Sequence, residues 1–504
     1  MVARWLVLVC SWVGVWAVAG VGPLPAVPTV REFEFHHDHI LGTSLDLCVR
    51  AGDEATAEQA ERVVLAEIER LRQVFSTYDP ASEISRLNRS REPMAVSAEL
   101  LEVLQAYEQW QRQSGGAFHG QVGELVRVWQ EAEQLNREPA ADTLQRIVSE
   151  LRQPGWRLDP ATRIVTRWTD QPLNLNALAK GYILQKAAAA VRQQVPAVSG
   201  LLVNLGGDIL GWGEPGWAVG IQDPFWHFDN AAPLAGVRLV NQAVATSGGY
   251  QRFYTIGGRR YSHIFDPRTG RPADGVASAT VIAPNNVTAN ALATTLCVLS
   301  PDEGLKLVAR VPGAECLIVG SDGQQFRSPG LKLVAVAHRT AEQTPKNPPK
   351  AARPWPAGYQ VTVTVELPKI DAKRYRKPYT AIWIEDATGK PVRTLAVWGN
   401  APKYLKDLSD WWKIGKDDAD LIKAVTRATR GPGKYALVWD GKDDQGNPVG
   451  QGTYTVRVEV HREFGAHVRQ AGKIECKDKP ASVKLEKNAE TGETVVEYQL
   501  IGKK

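Results

Sequence analysis

Val244-Ala-Thr-Ser-Gly-Gly-Tyr250 and, shortly after it, Tyr261-Ser-His-Ile-Phe-Asp-Pro-Arg-Thr-Gly-Arg-Pro272 are the stretches on which the reading of this chain turns. The first sets hydroxyls among small residues, a combination suited to phosphate or ring contacts. The second places His263 shortly before Asp266 and beside a Pro/Gly turn. A lone histidine is more often structural than chemical, so neither stretch decides a function by itself. Two further segments have a similar character. Asn174-Leu-Asn-Ala-Leu-Ala-Lys-Gly-Tyr182 puts Lys180 near an expected helix N-terminus, where free amides, the helix dipole and an ammonium group together attract an anion. In Val203-Asn-Leu-Gly-Gly-Asp208 paired glycines follow a strand, which suits either close approach to a ligand or a plain turn.

Outward from these segments, the chain divides in two. It has 504 residues, 43% hydrophobic and 23% charged, an ordinary globular composition with room for two or three domains. The net charge of +5 is too small for a dedicated nucleic-acid binder. Cation usage changes along the chain, with four lysines in residues 1–340 (Lys180, Lys186, Lys306, Lys332) and 20 in residues 341–504. Between Thr344 and Gly358 lie Pro345, Pro348, Pro349, Pro354 and Pro356, a semi-rigid linker composition. At the N-terminus, Arg4 precedes an uncharged run that ends in Ala17-Val18-Ala19, the pattern of a cleaved export signal. The expected organisation is a signal at 1–19, a first domain at 30–338, a linker at 339–357, a second domain at 358–480 and a C-terminal tail at 481–504. Cys48, Cys297, Cys316 and Cys476 would meet an oxidising compartment, but their spacing predicts no pairing.

Apolar spacing predicts helices over 54–78 with Asp53 as N-cap, over 97–113, over 177–195 and from Asn286 to Leu299. Short β-rich runs bounded by glycine lie between them, at 45–49, 201–203, 217–221, 236–239 and 279–282. This irregular mixture indicates an α+β domain. From Tyr359 onward, Val361-Thr-Val-Thr-Val-Glu366 and Thr453-Tyr-Thr-Val-Arg-Val-Glu-Val460 alternate as strands, with Asp443-Asp-Gln-Gly446 as a turn. The second half therefore reads as an all-β, immunoglobulin-like sandwich. His461-Arg-Glu463 within it is expected to make strand-end salt bridges.

The stretches Val203–Asp208, Val244–Tyr250 and Tyr261–Pro272, with Ser76-Thr-Tyr78, Ser82-Glu-Ile-Ser-Arg-Leu-Asn88 and Ala289-Asn-Ala-Leu-Ala-Thr294, resemble the FAD:protein FMN transferases of the ApbE type, in the right order over about residues 38–335. The resemblance implies an exported enzyme that uses FAD with Mg2+ and moves FMN onto a threonine of an exported or membrane redox protein, releasing AMP. It implies a periplasmic location, compatible with peripheral association at the outer face of the inner membrane, and no nucleic-acid partner. Tyr78 matches the aromatic position over the isoalloxazine ring, where an offset stack adds about 0.5–1.5 kcal/mol beyond burial. Lys180, Asp208, Thr246, Ser247 and Gly248 would hold the dinucleotide. The carbonyl of Ala177, with Asn290 and Thr294, matches the metal position, and His263 the catalytic base. The second half resembles the immunoglobulin-like module of flagellar hook-capping proteins and an uncharacterised domain of exported bacterial proteins, which implies an interaction role.

The chain departs from the family pattern at Asn290, where members usually carry Asp; Asn174 and His119 also replace a usual Asp. Residues 290 and 294 are one helical turn apart, so both oxygens can face one ion. Magnesium prefers hard oxygens, normally with a carboxylate among them. Three readings follow: a transferase, a periplasmic FAD-binding or FAD-hydrolysing protein that has lost transfer, and a non-enzymatic partner-binding scaffold.

Overall fold

The computed structural model describes residues 30–334 and 353–500, apart from 227, 251, 373–374, 400–401, 419–420, 423–424 and 428. The expected signal at 1–19 and most of the expected linker lie outside these residues.

The spine of the first domain is an eight-stranded sheet, in the order Arg31–Ile40, Thr43–Ala51, Gly200–Leu205, Asp208–Trp212, Gln242–Gly248, Val276–Ala283, Glu315–Gly320, Gln325–Arg327. Each neighbouring pair is antiparallel. Side chains alternate across a strand, and this alternation builds two cores. Ala243, Ala245, Ala279 and Val281 enter the larger one, under the helices Glu54–Phe75, Asn176–Gln194 and Asn286–Val298. Val244 and Ile282 point the other way, against Val219, Val237 and Leu239 of a small sheet. Small alanines on the helical face let the helices lie close to the strands that carry the quoted motifs.

The α+β expectation holds, and the helix starts follow their caps. Asp53, Ser97 and Asn285 accept hydrogen bonds from the amides of Thr56, Leu100 and Thr288. Four described helices of this domain lie outside the expected set: Gly123–Gln134 and Ala141–Leu151, which have no side-chain cap to announce them, and the short Glu83–Arg89 and Pro301–Val308, capped by Ser82 and Ser300. Leu125, Trp129, Leu144 and Ile147 of the two uncapped helices join Tyr254 and Phe265 in a separate core, under the His263 segment.

The second domain is an all-β sandwich. A four-stranded sheet, Gly433–Trp439, Tyr359–Leu367, Thr494–Leu500 and Ala481–Leu485, faces a five-stranded one, Thr426–Arg427, Pro391–Trp398, Tyr379–Glu385, Gly452–His461 and His467–Cys476. The residues expected as a tail from 481 thus supply two strands instead. Leu485, Val496 and Tyr498 are buried while charged residues alternate on the solvent side, and that alternation made the segment read as polar. Trp411, fully buried, closes the outer face of the five-stranded sheet and donates its indole N–H to Thr394.

The residues His461-Arg-Glu463 make ion pairs, as expected. Arg462 and Glu490 form a bidentate pair at 2.7 and 3.0 Å, with their side chains 7% and 2% exposed. Glu490→Ala strands a guanidinium in the interior and should cost about 3–5 kcal/mol. Chemical denaturation of the chain followed through the second domain's tryptophans measures this, and a loss under about 1 kcal/mol would show that water reaches the pair.

The two domains meet through Asp229 and Asn230, in the loop before Ala235–Leu239. The Asp229 carboxylate accepts from the Trp398 indole at 2.7 Å and from Arg430 at 2.8 Å. Asn230 exchanges two hydrogen bonds with the backbone of Val438, and the Asp229 amide donates to Ala436. The loop therefore pairs with the edge strand Gly433–Trp439 and covers groups that would otherwise be open to another chain.

Candidate active site

The helices Asn176–Gln194 and Asn286–Val298 cross where Gly181 meets Asn290. A Cβ at Gly181 would lie 2.5 Å from the Asn290 Nδ2 and 3.1 Å from the Asn286 carbonyl, so only glycine permits this approach. It sets this stretch of the first helix, with Ala177 one turn before Gly181, against the Asn286–Val298 helix. The paired glycines of the second motif form the two-residue turn between Gly200–Leu205 and Asp208–Trp212, with φ of +62° at Gly206 and +97° at Gly207. Both values call for glycine in a tight hairpin. The turn starts its second strand at Asp208, whose carboxylate lies within electrostatic reach of Lys180 and of the Asn290 side chain. Asn286 Nδ2 donates to the Ile209 carbonyl at 3.2 Å, locking the helix to this strand one residue further on.

Burial pushes the Asp208 carboxyl up to about 6, against the pull of Lys180 and the Asn290 amide. Burial likewise lowers the Lys180 ammonium; Asp208 opposes this and Arg252 reinforces it. Two half-buried opposite charges, each costing desolvation, occur at functional sites and in structural ion pairs alike.

From the other side, the strand Gln242–Gly248 lays its motif against the same helix. Ser247 Oγ and Thr294 Oγ1 are 3.3 Å apart, Thr246 bonds Thr280 at 2.9 Å, and Cys297 donates its thiol hydrogen to the Ser247 carbonyl. His263 Nδ1 lies 2.9 Å from the Arg252 carbonyl. A carbonyl only accepts, so Nδ1 carries the proton and Nε2 keeps its lone pair. Burial lowers the imidazole below its ordinary value, with the Arg252 carbonyl opposing and the Arg252 charge adding, so the ring is a neutral base near pH 7.

Asp208 lies within electrostatic reach of Lys180 and Asn290, and Ser247 meets Thr294, with Ala177 one turn before Lys180. Tyr78 does not join them: its ring is 91% exposed, on a loop pinned by the Ser82 and Ser85 hydroxyls donating to the Ser76 carbonyl. Asp266 does not orient His263, because Arg268 holds its carboxylate in a bidentate pair. His119, one of the acid replacements, is a buried structural histidine. Its Nδ1 accepts from the Gln121 amide, its Nε2 donates to the Leu151 carbonyl, and burial lowers it to about 4. Arg252 was missed by sequence reasoning. It is one arginine among many, and its use as an acceptor lies in its main chain.

A divalent ion here would meet hard oxygens: the Ala177 carbonyl, Thr294 Oγ1 and the Asn290 Oδ1, which stays available because Nδ2 donates to the Asn286 carbonyl at 3.0 Å. No group of three or more His, Cys, Asp or Glu among the described residues could hold a metal, so such an ion would rest mainly on neutral oxygens. This donor set fits magnesium better than softer metals. A shallow groove of about 350 Å³ lined by Gln59, Arg62, Val63, Arg70 and Gln194 contains none of these residues.

Residues 41–318 match the ApbE family, and residues 360–493 match a family described as predicted periplasmic protein (DUF2271). The FAD:protein FMN transferase of Treponema pallidum is 29% identical over 350 residues, 64% of this chain and 93% of its own. That of Klebsiella pneumoniae is 30% identical over 271 residues, 53% of this chain and 82% of its own. That of Rhodobacter capsulatus is 29% identical over 305 residues, 58% of this chain, which spans 57% of that relative's length. Among solved structures, the ApbE protein of Thermotoga maritima superposes with a TM-score of 0.54 at 29% identity, over 59% of this chain and 97% of its own. The apo flavinyl transferase ApbE of Pseudomonas stutzeri gives a TM-score of 0.51 at 25% identity, over 60% and 95%.

Proposed function

Because this chain belongs to the ApbE family, we propose that it is a FAD:protein FMN transferase, which attaches FMN from FAD to a threonine of an exported or membrane redox protein and releases AMP. The observation that carries the reading is His263, a neutral imidazole with Nε2 open and its tautomer set by the Arg252 carbonyl. The acceptor hydroxyl gives its proton to Nε2 as its oxygen bonds to the phosphorus of the FMN half. The bond from that phosphorus to the oxygen bridging to the adenylate breaks, and AMP leaves with the electron pair. Lys180 and Arg252 bring positive charge to the diphosphate, and the Thr246-Ser247-Gly248 stretch offers it hydroxyls and a close backbone. Tyr78, with its ring exposed, is a ready platform for the flavin ring.

Magnesium, held by the Ala177 carbonyl, Asn290 and Thr294, would neutralise charge on the diphosphate as phosphoryl transfer proceeds. The signal-like N-terminus supports export, as does the periplasmic description of the second domain's family. The second domain, joined through Asp229, serves interaction rather than chemistry. A scaffold or a flavin binder that has lost transfer has no use for a base held in one tautomer.

Incubation with FAD, Mg2+ and the acceptor redox protein should give a fluorescent acceptor band that survives denaturing electrophoresis. FAD should bind in preference to FMN, because the adenylate half adds contacts. FAD retention without any covalent band, at saturating magnesium and acceptor, would sink the transfer reading.

A further inference from the structure

We propose that the outward face of the hairpin formed by Phe253–Ile256 and Arg259–Ser262, centred on Arg260 and Phe253, receives an acidic segment of the acceptor protein beside its target threonine. The inference rests on the transferase reading and assigns the part of this chain that recognises the acceptor.

Alternation gives the hairpin two faces. Tyr254 and Ile256 are buried in the core that holds Trp129, and Tyr261, paired with Tyr254, packs against the same core. Phe253 and Thr255, with their partners Ser262 and Arg260, point the other way. Phe253 is 37% exposed, and the Arg260 guanidinium lies over its ring, 4.5 Å from the centroid. A guanidinium stacked in this way is oriented while its edge stays open to a carboxylate. The Thr255 and Gly257 amides donate to Glu133 and Asn136 at 2.6 and 2.7 Å, which holds the hairpin in place before a partner arrives.

This face begins where the base stands. The hydrogen bond from His263 to the Arg252 carbonyl closes the open end of the hairpin. A Cβ on Gly249 would lie 2.7 Å from the Ser262 Oγ, so the Thr246–Tyr250 stretch abuts the same end. Arg260 is two residues from Ser262 along the strand, a rise of about 7 Å. A threonine delivered to the His263 Nε2 brings its neighbours two or three positions away within that reach.

Charge decides what the face accepts. Residues 252–271 hold five arginines and one acid, Asp266. Among the described residues Arg268, Arg259 and Arg271 face the carboxylates of Asp266, Asp274 and Glu138, whereas Arg252 and Arg260 make no ion pair. Arg252 belongs to the site itself, where its charge reaches Lys180 and His263. Arg260 keeps an open charge backed by an exposed aromatic ring, two side-chain types that protein interfaces favour.

The test uses rhodamine-labelled peptides of twelve residues with one central threonine, carrying aspartate or asparagine at the second and third positions on both sides. Anisotropy is read on the full chain with FAD and Mg2+ saturating. The aspartate peptide should bind about fivefold more tightly at low ionic strength, the upper end for an exposed charge pair, and salt should shrink the preference. Arg260→Gln should bring the two peptides within about twofold, and Arg260→Lys should keep part of the preference. Arg260→Glu should instead favour a third peptide with lysine at those positions over the aspartate one. Residue 260 is exposed, so the variants keep the fold, and their FAD affinity should stay within about twofold of wild type. Equal binding of the aspartate and asparagine peptides to wild type, or a preference that survives Arg260→Gln, would overturn the proposal. So would FAD binding weakened about tenfold by Arg260→Gln, because the arginine would then hold the dinucleotide. Calorimetric titration with FAD separates the two levels: a wild type that does not bind FAD ends the transferase reading, whereas FAD binding without discrimination between the peptides ends only this inference.

Discussion

His263→Ala keeps FAD and loses transfer, by about 10²- to 10⁴-fold, the usual worth of a positioned general base. A threonine hydroxyl is a poor nucleophile near neutral pH, and Nε2 is where its proton goes. Nothing in the arrangement makes the imidazole a ligand of the dinucleotide, so FAD affinity should stay within about threefold of wild type. The pH dependence follows from burial. With the imidazole held below its ordinary value, Nε2 stays free at neutral pH, and the rate falls on the acid side only as pH drops through that lowered value. Gel fluorescence of the acceptor against pH, for both forms, checks this. Unchanged transfer in His263→Ala would remove the residue from the mechanism, and an acid limb above ordinary histidine values would mean that the ring is not desolvated in the working enzyme.

Lys180→Met should lower the transfer rate by about 10²- to 10³-fold, the scale of removing one preorganised electrostatic group from a site where charge shifts. The ammonium is half-buried, so less water screens it than at an open surface. Its loss also leaves Asp208 without a facing cation, which raises that carboxyl further and adds to the defect. Lys180→Arg should recover part of the rate, because it restores the charge but not the compact point donor. Single-turnover measurements at saturating FAD separate chemistry from binding. Equal rates in Lys180→Met and wild type would reduce the lysine to the role of a surface side chain.

Much of the fold was legible because it is local. The caps at Asp53 and Ser97 mark helix starts, the alternation from Tyr359 marks strands, and the glycine pair at 206–207 marks a turn whichever purpose it serves. The uncapped helices Gly123–Gln134 and Ala141–Leu151 carry no such mark and form by packing against Tyr254 and Phe265. The strands from 481 to 500 were hidden for a different reason: their charged faces gave a polar average, and only pairing with Tyr359–Leu367 and between themselves gives their apolar faces a place to go.

The sequence by itself determined the two-part organisation, the α+β and all-β classes, and which chemical groups could form a site: a lysine at a helix start, hydroxyls beside glycines, one histidine before a turn. Only the tertiary structure decided how they are used. Asp266 lies three residues after His263, yet Arg268 takes it and a main-chain carbonyl sets the imidazole. Asn290 looked like a lost acid, and the structure shows its amide nitrogen bonded to the Asn286 carbonyl one turn back. The imidazole is set by a carbonyl eleven residues earlier in the chain, while the setting of Asn290 depends on the close approach of two helices far apart in sequence, which Gly181 allows because it has no side chain to keep them apart.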